Sequence, residues 1–250
     1  MKTCTRRYVS SLAALLALML PVTGRAFQLT PMTQTFEPSG RGVNRTFEIK
    51  NDRDEEVAVS VSIKARALDA AGAETLTETK DFAIFPTQIL LKGKTSQVVR
   101  VQWQGASSLR SERSYRIIAE EVPLKNAPAR AAGSVMAIKM ILRFGGTIYA
   151  ASPKAQAKVV VASAKVVKTS AGVRLDVVLE NRGSRHAIID KPLLSVKSGE
   201  LTAPVPQADV DKALDGENIL AGGSRSVSLP CPAGLPAGPV EAKLTASFLQ

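Results

Sequence analysis

Apolar residues recur at every second position through most of the chain. Phe47 and Ile49 are followed, after the polar stretch Asn51-Asp52-Arg53-Asp54, by Val57, Val59, Val61 and Ile63. Val99, Val101 and Trp103 alternate with Arg100 and Gln102; Val173, Leu175, Val177 and Leu179 alternate with Arg174, Asp176 and Val178; Leu244, Ala246 and Phe248 alternate with Thr245 and Ser247. A period of two lines one face of a strand with apolar side chains and leaves the other face for water. Between these runs lie turn clusters: Pro38-Ser39-Gly40, Lys92-Gly93-Lys94, Asn181-Arg182-Gly183-Ser184 and Ala221-Gly222-Gly223-Ser224. Helical periodicity is scarce, and only residues 206–215 fit a short helical turn. Many short strands with regularly spaced turns predict an all-β protein built of sandwiches rather than a parallel sheet.

The stretch Ala150-Ala151-Ser152-Pro153-Lys154 interrupts the alternation near the middle. It predicts a hinge at 151–156 between two immunoglobulin-like domains, 27–150 and 157–250, each of about one hundred residues, the usual size for such a sandwich. Residues 1–26 read differently. Lys2, Arg6 and Arg7 precede a largely apolar run, 9–22, and Gly24-Arg25-Ala26 places small residues where a signal peptidase reads. This is the pattern of a cleaved secretory signal peptide, with an uncleaved N-terminal anchor as the other reading. The apolar run is short for a membrane span. No other segment is long and apolar enough to cross a bilayer, so no stable membrane insertion is expected.

Removing that leader takes away Lys2, Arg6, Arg7 and Arg25 and lowers the formal charge from +11 by four, to +7. The basic residues that remain alternate with valines and isoleucines, as on the wet face of a sheet. They do not cluster with aromatics as nucleic-acid surfaces do, so no nucleic-acid partner is expected. Cys4 leaves with the leader, and Cys231 alone can form neither an intramolecular disulfide nor a cysteine metal site. Its setting, Leu229-Pro230-Cys231-Pro232, reads as a partly buried structural thiol.

Catalytic constellations are missing. His186, in Ser184-Arg185-His186-Ala187 just after a turn, is the only histidine and is expected to be a solvated loop residue. There is no Gly-x-Ser-x-Gly elbow, phosphate loop or His-Glu-x-x-His motif. Glu120 and Glu121, adjacent on a predicted strand, point to opposite faces and cannot act on one atom. The expectation is a protein that is not an enzyme and has no cofactor or metal.

Residues 135–149 stand apart from the other strands. Met136, Ile138, Met140, Leu142 and Phe144 occupy one face; Val135, Ala137, Lys139, Ile141 and Arg143 occupy the other. Both faces are more apolar than a strand with a wet side needs. One reading is a central strand buried on both faces. The other is an edge strand lent to a foreign chain, since a long apolar edge otherwise invites aggregation.

At this point the order of several motifs becomes specific. The chain carries Phe47-Glu48-Ile49-Lys50-Asn51-Asp52, then Phe85-Pro86-Thr87-Gln88-Ile89-Leu90-Leu91-Lys92-Gly93-Lys94 and the strand at 98–103. It continues with Glu112-Arg113-Ser114-Tyr115, Glu120-Glu121-Val122-Pro123, Ile148-Tyr149 and Pro153, and later Leu179-Glu180-Asn181 and Ile219-Leu220-Ala221-Gly222-Gly223-Ser224. In that order they resemble the periplasmic pilus chaperones, the PapD-like family, as a divergent branch. The resemblance implies two immunoglobulin-like β-sandwich domains set at an angle around a cleft. It implies a periplasmic protein that stabilises pilus subunits by lending an edge strand and delivers them to an outer-membrane usher. Met136, Ile138, Met140 and Leu142 are then the side chains that plug the subunit. Each is worth roughly 1.5–3 kcal/mol when buried, and unbranched methionine adapts to varied pockets. Self-association of the free protein is a further partner class that such an edge allows.

The family's carboxylate anchor, an arginine and a lysine in the cleft, is replaced here by Thr33 and Gly146. Arg143 is the preferred substitute and Lys139 the second. Ser152 stands where a charged hinge residue is frequent, and Glu112 matches a position tied to interdomain contacts. The alternative function is a secreted structural or adhesive β-sandwich subunit of a pilus. Such subunits carry an N-terminal extension on a single domain, whereas residues 27–36 here look like an ordinary first strand.

Overall fold

In a computed structural model, residues 26–123, 141–170 and 172–249 are described. The N-terminal half contains β1 (Phe27–Thr30), β2 (Thr33–Phe36), β3 (Asn44–Asn51), β4 (Val57–Leu68), β5 (Glu74–Glu78), β6 (Phe82–Phe85), β7 (Gln88–Leu91), β8 (Ser96–Trp103), β9 (Arg113–Val122) and β10 (Arg143–Ala150). One sheet runs β1-β3-β8-β6; the other runs β2-β10-β9-β4-β5, with β7 also paired to β4. The alternation seen in the sequence becomes the core between them. Phe47 and Ile49 of β3, Val99, Val101 and Trp103 of β8, and Val57, Val59, Val61 and Ile63 of β4 are all buried. Phe82 packs edge-to-face against Phe36, Trp103 and Tyr115, with centroids 4.9–5.2 Å apart. That geometry adds to simple burial for aromatic pairs.

Residues 27–36 do not form the single ordinary strand expected of them. β1 pairs antiparallel with β3, and β2 pairs parallel with β10 in the opposite sheet. Pro31 sits at the crossing, where it lacks the N–H that a continuous ladder would require.

Segment 151–158 carries no strand. Beyond it lie β11 (Val159–Thr169), β12 (Gly172–Asn181), β13 (Ala187–Ser198), β14 (Leu201–Pro204), helix α1 (Gln207–Leu214), β15 (Asn218–Ile219), β16 (Ser224–Pro230) and β17 (Gly238–Leu249). Their order is β14-β13-β17-β11-β12-β16, with β15 added to β13. β17 pairs with β11 through 238–240 and with β13 through 241–249, so one strand joins both faces of the second sandwich. Leu175, Val177 and Leu179 of β12, Ile189, Leu194 and Val196 of β13, and Val210 and Leu214 of α1 fill its core. Val173, which the alternation also placed inside, is exposed at the strand's start. Cys231 is half-buried, and its thiol faces the Pro232 carbonyl at 3.4 Å.

One device closes a corner in both sandwiches. Asn51, at the end of β3, is wholly buried; its Nδ2 donates to the carbonyls of Glu55 and Lys92 at 2.8 and 3.2 Å and lies 3.4 Å from that of Leu91, while Oδ1 accepts from Arg53 N. Asn181, at the end of β12, repeats the arrangement: Nδ2 donates to the carbonyls of Arg185 and Ile219, and Oδ1 accepts from Gly183 N and Lys158 N. An asparagine can serve because it has two donors and an acceptor on one short arm.

Candidate functional site

β10 is the strand on which the site is built. Along its whole length β9 pairs with one edge, Arg143 opposite Glu120 through Ala150 opposite Arg113. The other edge is covered only from Thr147 onward, where β2 begins and Thr147 N donates to Met32 O at 2.7 Å. Among the described residues, nothing pairs with the outer edge of 143–146.

The faces of this strand are also defined. Leu142 and Phe144 pack, half-buried, against the first core, and Phe144 meets Phe27 edge-on at 4.9 Å. Met136, Ile138, Lys139 and Met140 lie outside the described residues. Arg143 is on the opposite face, 53% exposed, with Nε 3.8 Å from Glu120 Oε2. A pair at that distance and exposure restrains the guanidinium weakly. Arg143 and Arg116 border a shallow cavity of about 380 Å³ that also involves Glu74, Leu76, Ile118 and Gly145.

Gly146 shows why a lysine is absent from that position. It is buried, and a Cβ there would lie 2.9 Å from Ile117 Cγ2 and 3.1 Å from Met32 O. Thr33 stands opposite Thr147 in the parallel pairing. Arg116, across from Thr147 on β9, donates through Nη1 to Thr147 Oγ1 and through Nε to Glu74 Oε1 at 2.8 Å. Arg66 Nε reaches the same Glu74 oxygen at 2.5 Å. Burial pushes the Glu74 carboxyl up, but the hydrogen bonds and charges of Arg66 and Arg116 outweigh it and hold the group below its usual range. Sequence patterning missed this arginine pair, because the two arginines meet only through the β9–β4 register.

Glu112 lies between the two sandwiches. Its carboxylate is 1% exposed; it accepts from His186 N at 3.1 Å, and His186 Nδ1 lies 2.8 and 2.9 Å from its two oxygens. Glu112 N in turn donates to Ser184 O at 2.8 Å. The His186 ring stacks on Tyr149 of β10, centroids 3.7 Å apart and planes 6° from parallel, and Tyr149 OH accepts from Asn218 Nδ2 at 2.8 Å. Burial is the main reason that the Tyr149 phenol is pushed up, though Asn218 opposes it. His186 is thus not the solvated loop residue its sequence context suggests; it is 2% exposed. The turn that carries it is clamped by Glu112 from the other sandwich, and a single-domain pattern contains no trace of burial by a neighbouring domain.

The comparisons agree with this architecture. Residues 35–145 match the family of pili and flagellar-assembly chaperones at its PapD N-terminal domain. Among curated proteins, none matches the chain. Similar solved structures include the class 5 fimbriae chaperone CfaA, 11% identical, covering 87% of this chain and 99% of that one with a TM-score of 0.55. The CsuC–CsuE chaperone–tip adhesion subunit complex of Acinetobacter baumannii is 13% identical over 81% and 89% of the two chains, with a TM-score of 0.53. The Salmonella enterica SafA pilin–SafB chaperone complex is 13% identical over 91% and 99%, with a TM-score of 0.51. These likenesses show two immunoglobulin-like sandwiches in a shared fold. The matched family is one of chaperones, not of enzymes.

Proposed function

We propose that this chain, a PapD-like chaperone through its N-terminal domain, captures pilus subunits by lending them the strand that β10 continues. The observation that carries the proposal is the outer edge of residues 143–146, unpaired among the described residues, beside half-buried Leu142 and Phe144. A subunit that lacks a strand can add its own backbone to such an edge and bury alternate side chains. Met136, Ile138, Met140 and Leu142 are the donors on this reading. Domains 27–150 and 157–250, hinged at 151–156, enclose the cleft. Arg143 is the preferred anchor for a subunit's terminal carboxylate: it is accessible, loosely held and able to bind two oxygens at once. Lys139 is the second candidate. Cleavage of residues 1–26 releases the protein into the periplasm, and an outer-membrane usher receives the loaded subunit.

Co-expression with a fimbrial subunit tests the proposal. A soluble one-to-one complex is expected. It should disappear when Ile138 and Met140 become Asp and Asn, while the double variant alone remains folded. A complex that survives those substitutions defeats the donor-strand reading.

A further inference from the structure

The two sandwiches meet at a second place, built from the tip of the β4–β5 hairpin. Residues 69–73 form a closed turn: Gly72 N donates to Asp69 O at 3.0 Å, Asp69 N to Ala73 O at 3.1 Å, and Ala73 N to Asp69 Oδ1 at 2.8 Å. This tip reaches the C-terminal sandwich, where Ser226 N donates to Ala70 O at 2.7 Å. Among the described residues β16 is the last strand of its sheet and pairs with β12 alone, so the hairpin supplies an acceptor to an otherwise open edge.

Arg225 shapes the contact. Its Nη2 donates to Glu217 Oε1 at 2.9 Å, and its Nε lies 2.8 Å from Oε2 in an ion pair that holds the guanidinium. The plate so fixed lies directly under Gly72. A Cβ at Gly72 would fall 1.9 Å from Arg225 Nη1, and the backbone there has φ +86°, which favours glycine. The sandwiches do not fuse between this contact and Glu112. A cavity of about 420 Å³ remains, lined by Arg66, Ala67 and Leu68 of β4, by Ser114, and by Ala221, Gly222 and Gly223. Their orientation therefore depends on discrete contacts rather than on one continuous packed interface.

We propose that the 69–73 hairpin tip is a latch that holds the two domains in one relative orientation, with Gly72 seated on the Arg225–Glu217 pair and Ser226 N bonded to Ala70 O. The inference concerns domain orientation alone and stands independently of strand donation. It is tested on the full chain with native cysteines replaced by serine and spin labels at Gln97→Cys and Thr202→Cys, both exposed. Electron–electron distance measurements should give one narrow distribution. Gly72→Val blocks the seat; Arg225→Ala removes it. Ser226→Pro deletes the donor that faces away from β12 and serves as a check should either of the others unfold a domain. Each variant is expected to broaden the distribution while Trp103 fluorescence and the far-ultraviolet spectrum keep their native form. Gly72→Val combined with Arg225→Ala should broaden it no further than either alone, because both break one contact. Unchanged narrow distributions in folded variants, or fully additive broadening in the combined one, would overturn the latch.

Discussion

The paired asparagines allow a stability test with a built-in control. Asn51→Ala removes two amide donors and one acceptor from the corner after β3, and strands the carbonyls of Glu55 and Lys92 together with Arg53 N. Asn181→Ala removes two donors to Arg185 O and Ile219 O, and an acceptor serving two N–H groups, Gly183 and Lys158. A net hydrogen bond is worth about 1 kcal/mol, and a buried group left unpaired costs about 1–3 kcal/mol. The corner is buried but lies next to a turn where water can reach some groups. The estimate is therefore about 3–4 kcal/mol for each, since each side chain makes four bonds. For domains of this size such losses lower a melting midpoint by about 12–32 °C. Differential scanning calorimetry, with Trp103 fluorescence reporting the N-terminal sandwich alone, separates the two. Asn51→Ala should lower the transition seen by Trp103, and Asn181→Ala should lower the other. The aspartate variants should fare worse than alanine, since a carboxylate would face carbonyls that need donors. Costs below about 1 kcal/mol in both alanine variants would mean that water replaces the side chain, and the argument from satisfied carbonyls would be wrong.

Further outcomes follow from the same geometry. Glu112→Ala leaves His186 N and Nδ1 without their acceptor at a closed interface and should weaken interdomain coupling by about 3 kcal/mol; calorimetry should then show the two transitions drawing apart. Glu74 is held below the usual carboxyl value of 4.5 by Arg66 and Arg116. A group lowered on folding stabilises above its unfolded value and loses that contribution as the pH falls through its folded one. The stability advantage of the native protein over Glu74→Gln, read from urea midpoints, should thus shrink below about pH 4.5. Gly146→Lys should cost about 2–3 kcal/mol through its contacts with Ile117 and Met32 O, whereas Gly145→Lys, with open space around its Cβ, should leave the urea midpoint nearly unchanged.

What the sequence reveals here is whatever depends on one strand and its own face. The alternation that put Val57, Val59, Val61 and Ile63 inside, and Phe47 and Ile49 opposite them, survives intact because each pattern is local and a sheet enforces it. The helical turn at 206–215 is legible for the same reason and becomes α1. Features that depend on two distant strands are invisible. Residues 27–36 alternate well enough to pass for one strand, and only pairing decides that they serve two sheets. The Arg66–Glu74–Arg116 group joins three strands, and Gly72 seats on Arg225 across 153 positions of sequence.

His186 teaches the sharper lesson. On an isolated C-terminal sandwich it would lie at a surface turn, as its neighbours Ser184 and Arg185 suggest. In the whole chain it is one of the most buried polar side chains, with Glu112 and Tyr149 from the other domain against it. Tyr149 belongs to β10, the same strand whose outer edge is open at 143–146 among the described residues. The strand therefore has two ends with opposite fates. Its C-terminal end is covered by β2, stacked on His186 and bonded to Asn218; its N-terminal end has no partner on its outer edge among the described residues and lies beside a half-covered core. Rigid fixation at one end holds the open end in place without a loss of ordering entropy at each encounter. An extended strand so held is what the proposed donation to a partner's sheet requires of this half of the molecule.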